Sequence, residues 1–162
     1  MGMDVQVREF VSGDLGACRR LWAELTEHHR ELYGDPTIGG DDPGSGSDDY
    51  LDIPDRVTSW VAVVDGEVVG LTGLLDRGSS GEVEPVVVAG TRRHQGIGQA
   101  LMETVVSMAA QRGFEYLAIR PVARNVAVIC NIDLTIDLTI DLKGRRHPWR
   151  EGVNLHGLDF RY

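Results

Sequence analysis

Between a valine-rich run and an amphipathic stretch the chain carries Arg92-Arg93-His94-Gln95-Gly96-Ile97-Gly98. Two arginines beside two closely spaced glycines have the chemistry of an anion site. Before the turn, Val83, Val86, Val87 and Val88 are β-branched and mostly contiguous, which predicts a buried strand. After it, Ile97, Leu101, Val105 and Met108 recur at helical spacing, which predicts one face of a helix ending near Gly113. A helix starting here presents unpaired backbone N–H groups and the positive end of its dipole, and both attract anions. Gly96 and Gly98 lack Cβ atoms, so a diphosphate can approach the main chain. A Walker loop would need Lys followed by Ser or Thr, whereas Gln99-Ala100 follows Gly98. A dinucleotide fingerprint would need glycine at 101, which is Leu. The pattern therefore says phosphate without saying which. The competing reading is a tight turn whose glycines serve packing alone, and it leaves the paired arginines without a purpose.

The elements that must position this turn belong to a chain of 162 residues, enough for one ordinary domain spanning 1–162. An apolar content of 42% supports a core, and no apolar run is long enough for a membrane span. The first ten residues have neither a basic nor an apolar signal segment, and position 6 is Gln where a myristoylation motif wants Ser or Thr. A cytoplasmic protein with no membrane partner is expected. Cys18 and Cys130 are too few for a disulfide scaffold and read as small buried hydrophobes. His28 and His29 lack ligand partners at metal spacing, so no metal is expected. A net charge of −9 argues against nucleic acid and is compatible with a cationic acceptor.

Val5 to Phe10 alternates apolar and polar residues and predicts a first strand. Ser12-Gly13-Asp14 offers an N-cap to a helix carrying Leu15, Cys18, Trp22, Leu25 and Leu32. The segment 34–55 holds seven aspartates among Gly, Ser and Pro, a composition that predicts a mobile acidic loop, either substrate-facing or merely solvated. Trp60 to Val64, Asp65-Gly66 and Glu67 to Leu75 predict a hairpin. Phe114 to Arg120 supplies a strand after the central helix, and a strand, crossover helix and strand imply parallel pairing.

Arg93-x-x-Gly96-x-Gly98 after a valine-rich strand resembles the acyl-CoA signature of the GNAT superfamily of N-acetyltransferases. The resemblance covers about residues 4 to 131, its specific part 83 to 125. It implies an α+β fold with a central mixed, mostly antiparallel sheet and flanking helices. Acetyl-CoA is implied as cosubstrate and a primary amine as acceptor. It further implies that main-chain groups of Val86, Val87 and Val88 pair with pantetheine amides. The turn from Arg93 through His94, Gln95, Gly96, Ile97 and Gly98 to Gln99 would hold the diphosphate, and Asn125 matches an asparagine near the thioester end. By analogy Glu84 faces the acceptor as general base, with Glu82 second, assuming that residues two apart share a face. An exposed strand carboxylate without a role is the competing reading for either.

Downstream the chain departs from that pattern. After Asn125, only Val126 to Asn131 precede the repeat Ile-Asp-Leu-Thr of residues 132–142, too few for the helix and tyrosine that the family places there. The repeat predicts one atypically long last strand, Ile and Leu on one side. It leaves the proton donor for thiolate departure unplaced, with Tyr50 available if the acidic segment folds over the site. An unpaired strand would also favour a homodimer. The tail 143–162 is basic and aromatic and is expected to dock back. Two other functions stay open: an acetyl-CoA-binding sensor or interaction module without turnover, and a phosphate-binding regulatory domain.

Overall fold

The computed structural model describes residues 3–119 and 138–141. Among these residues six strands form one sheet in sequence order: β1 Gln6–Glu9, β2 Arg56–Val64, β3 Glu67–Asp76, β4 Ser80–Val88, β5 Tyr116–Ile119 and β6 Leu138–Asp141. Neighbours are antiparallel except β4 and β5, which are parallel and joined by the helix α3, Ile97–Gln111. The other helices, α1 Leu15–Tyr33 and α2 Ser45–Leu51, lie between β1 and β2 in sequence.

Strand alternation sorts the core onto two faces. Val61, Leu71 and Val87 pack with Cys18 and Leu21 of α1. Their sheet neighbours Ala62 and Val69 meet Ile97 and Leu101 of α3, and Trp60, Leu74, Val83 and Leu117 meet Met102, Val105 and Ala109. Both helices thus bury the stripe that their sequence period requires. The β2–β3 connection is Asp65-Gly66 with φ of 51° and 79°, the left-handed pair that a two-residue hairpin demands. Among the described residues no helix is long and apolar enough to cross a membrane.

Three local expectations change. Residues 34–55 are not loop throughout: Ser45–Leu51 is helical, with Ser47 and Tyr50 buried. Composition misled here because α1 supplies partners that the segment lacks by itself. Arg19 forms ion pairs with Asp42 and Asp48, Arg30 donates to the carbonyls of Ile38 and Gly40 at 2.7 Å each, and Thr26 donates to that of Pro43 at 3.0 Å. Asp14 precedes α1 as foreseen, but its side chain does not cap that helix. It accepts from the Val11 N–H at 2.9 Å and from both terminal nitrogens of Arg8, at 2.7 and 2.9 Å. Of the expected long strand, Leu138–Asp141 is β6; Cys130, Asn125 and the remainder of 120–137, with the tail 142–162, lie outside the described residues.

The Arg8 hydrogen bonds, against a smaller opposing effect of burial, hold the Asp14 carboxyl below its ordinary 3.8. A depressed folded-state pKa stabilises the fold above the unfolded value, and that contribution fades as pH falls through the folded one. Asp14→Asn should therefore lower Tm at neutral pH, and the gap from wild type should narrow steadily below about pH 4. Thermal melts followed by circular dichroism from pH 7 to pH 2 check this.

Candidate active site

The sheet delivers β4 to the turn that opens α3. Gly90–Arg92 forms a short 3-10 turn whose Gly90 N–H donates to Glu24 of α1 at 2.9 Å, pinning the loop to the body. Arg93 returns to extended backbone, and its Nε approaches the Val88 carbonyl at 3.5 Å. His94 then takes φ 63° and Gly96 φ 83°, so the chain reverses twice before Ile97 starts the helix. Ile97 turns its side chain into the core and is 1% exposed, whereas Arg93, His94, Gln95 and Gly96 are exposed. One residue thereby anchors the turn while its neighbours face solvent. The first intrahelical bond here runs from Ala100 N–H to the Gly96 carbonyl, so the N–H groups of Ile97, Gly98 and Gln99 precede the helical ladder. An anion placed there meets open amides, the helix dipole and Arg93 together.

In β4, Val86, Val87 and Val88 pair with Thr72, Leu71 and Gly70 of β3. On the other edge the β5 pairing ends at Val83↔Ile119, so no described strand covers the main chain from Glu84 to Val88. That edge runs directly into the turn that opens α3. An extended ligand with amides at one end and phosphates at the other fits such a track.

Glu82 and Glu84 do not behave as a pair. The β3–β4 register skips between Thr72↔Val86 and Leu74↔Val83, so simple alternation fails in this part of β4. Glu82 is 5% exposed and accepts from Arg77 Nε at 2.8 Å, and Arg77 also reaches Asp55 at 3.3 Å. Glu84 is exposed. A carboxylate already bound to a guanidinium is a poor proton acceptor, which counts against Glu82 for that task.

Tyr50 lies in α2, 3% exposed, stacked on Trp22 with ring centroids 5.5 Å apart. Burial pushes its phenol up to about 12; a hydrogen bond from Ser59 works against the shift and the Glu84 charge adds to it. The ring is a packed core group, not a flap over the site. Arg56, Ser59, Arg77 and Gly73 complete this polar cluster, and sequence reasoning passed over all four. Only Gly73 left a signal, as a glycine inside a strand pattern. Asn125 is outside the described residues, and among those described no group of His, Cys, Asp and Glu is placed to hold a metal ion.

The acetyltransferase (GNAT) family model matches residues 22–129, two-thirds of the chain. The chain belongs to the GNAT acetyltransferase family. A sequence comparison with curated proteins gives no match. Solved structures share the GNAT fold. A GNAT family acetyltransferase from Brucella melitensis, in complex with acetyl-CoA, superposes with TM-score 0.58 at 18% identity, over 74% of this chain and 77% of that one. The ribosomal-protein-S18-alanine N-acetyltransferase of Escherichia coli gives 0.57 at 15% identity, over 78% and 73%. The aminoglycoside 6'-N-acetyltransferase of Enterococcus faecium gives 0.52 at 22%, over 71% and 61%. In this GNAT chain the turn at 93–99 follows directly on the part of β4 that no described strand pairs on its β5 side.

Proposed function

We propose that this chain is an N-acetyltransferase that moves the acetyl group of acetyl-CoA to a primary amine of a cationic small molecule or a protein. The observation that carries the reading is continuity: the β4 edge at Val86–Val88, which no described strand covers, leads straight into the helix start at 93–99, where Arg93 to Gly96 face solvent. The turn would hold the diphosphate and the β4 edge the pantetheine amides. The N–H of Val88 or of a neighbour on β4 would polarise the thioester carbonyl. Glu84 would take the proton that the amine must lose as its nitrogen bonds to the acetyl carbon and the carbon–sulfur bond breaks. The carboxylates around this end, Asp55, Glu82 and Glu84, favour a positively charged acceptor over an anionic one. The relatives named above, one described as acting on aminoglycosides and one on an alanine of a ribosomal protein, support an amine without choosing between the two kinds.

A free-thiol assay with acetyl-CoA and a panel of aminoglycosides, polyamines and peptide N-termini tests this. Amine-dependent thiol release is expected; acetyl-CoA binding without release from any amine would leave a binding module, and no binding at all would end the reading. The chain should also assemble as a homodimer, which a monomeric mass by light scattering at micromolar concentration would refute.

A further inference from the structure

Between the last pairing of β4, Gly70↔Val88, and the first bond of α3, the main chain is held by hydrogen bonds of different reach. Ala89 N–H donates to the Val69 carbonyl at 2.8 Å, Arg92 N–H to the Ala89 carbonyl at 2.8 Å, and Gly90 N–H to Glu24 Oε2 at 2.9 Å. The first ties the chain to the neighbouring strand and the second closes the 3-10 turn on itself. The third comes from α1, 66 positions away in sequence.

That helix is a fixed support. Its Cys18 and Leu21 are buried against Leu71 and Val87, and Leu25 and Ala89 pack on the same cluster. Glu24 lies between Leu21 and Leu25 in sequence, at the edge of this apolar stripe, so the packing sets where its carboxylate stands. Ala89 packs as well on the cluster of Ile97 and Leu101, which fixes the step out of β4 from the α3 side. A Cβ on Gly90 would come within 3.5 Å of Glu24 Oε2. The carboxylate therefore lies over the bare side of Gly90 as well as on its N–H.

Charge alone gives a carboxylate no purpose here. It holds a residue just before Arg93, and a negative charge close to a bound diphosphate weakens the binding. An acceptor on a loop amide acts in the opposite sense, because it sets the path of the chain before the ligand arrives and spares part of the ordering cost. We propose that Glu24 is a positioning residue for the coenzyme turn: its carboxylate holds Gly90, and with it the path from β4 into Arg93–Gln99, in the form that receives the diphosphate of acetyl-CoA. This rests on the reading of that turn as the coenzyme site. Glu24 is exposed, so solvent and salt screen its repulsion, whereas the hydrogen-bonded geometry is kept.

The test compares Glu24→Ala, which removes the acceptor, with Glu24→Gln, which keeps an acceptor oxygen and removes the charge. Both residues are good helix formers at an exposed position, so both variants should fold. Calorimetry should find the acetyl-CoA Kd raised about 10-fold in Glu24→Ala, the scale of one hydrogen bond to a charged group. In Glu24→Gln it should stay within about twofold of wild type, on the tighter side. With acetyl-CoA saturating, kcat should hold within about twofold in both, while KM for acetyl-CoA follows Kd. Amide exchange at Gly90, followed by NMR on the protein alone, should quicken by about 10-fold in Glu24→Ala and hold in Glu24→Gln. An alanine variant that binds as tightly as wild type, or more tightly as charge alone requires, overturns the proposal. Equal weakening in both variants, unmoved Gly90 exchange, or a fall in Tm with Kd unchanged overturns it too. A wild-type chain that binds no acetyl-CoA ends the coenzyme reading itself, whereas tight wild-type binding beside an unmoved alanine variant removes the Glu24 role alone.

Discussion

Glu84→Gln should lower kcat for the accepted amine by about 100- to 10,000-fold, the range that a positioned general base contributes. Acetyl-CoA affinity should stay within about twofold, because the coenzyme track proposed above runs from Val86 to Gln99 and does not include this side chain. Glutamine keeps the shape and loses the proton acceptor, so a loss confined to kcat identifies a proton-transfer role rather than a packing one. Glu82→Gln serves as the comparison. Glu82 is buried against Arg77, so its loss should appear first as a fall in Tm, from a guanidinium left with a weaker partner. Steady-state thiol release, calorimetry and thermal melts on both variants separate the two outcomes. Equal falls in kcat with equal falls in Tm would remove Glu84 from the mechanism.

Gly96→Val should weaken acetyl-CoA binding by about 100-fold or more, a coupling typical of losing several charge-assisted contacts at once. Gly96 has φ 83°, and a Cβ built there meets no protein atom within 4 Å. The new Cβ would meet no described protein atom and would stand where the proposed phosphate site lies. Left-handed backbone costs a β-branched residue about 1–2 kcal/mol, so some stability is lost as well. Gly113→Val controls for that loss. Gly113, beyond the far end of α3, has φ 81° and equally open space, so it carries a similar backbone penalty away from the turn. Calorimetry should find acetyl-CoA affinity lost in the first variant and kept in the second. Loss in both would mean that α3 stability, not the turn, governs binding.

Much of this could be read along the chain because the determining signals are local. The period change at Ile97, the Asp65-Gly66 hairpin turn and the valines of β4 each act through the backbone of the residues that carry them. The arginine and glycine spacing that suggested a coenzyme turn is of the same kind, and the structure places that turn at the helix start with Ile97 inward and its neighbours outward. Where reasoning by alternation failed, the cause was not local. Glu82 and Glu84 are two apart in sequence, but the register step opposite Gly73 separates a buried, ion-paired carboxylate from an exposed one.

By itself the sequence determined most of the element order, the parallel crossover and the glycine turn that opens α3, since periodicity and turn chemistry are written into neighbouring residues. The tertiary structure alone decided which carboxylate is buried against Arg77, that the acidic segment folds against α1, and that Tyr50 enters a notch in β3. Those outcomes depend on partners far apart in sequence: Arg19 with Asp48, Arg77 with Asp55, Tyr50 with Gly73. A charge or a hydroxyl has no fixed worth until the fold supplies what it meets, and its effective strength changes with the burial that the same fold imposes.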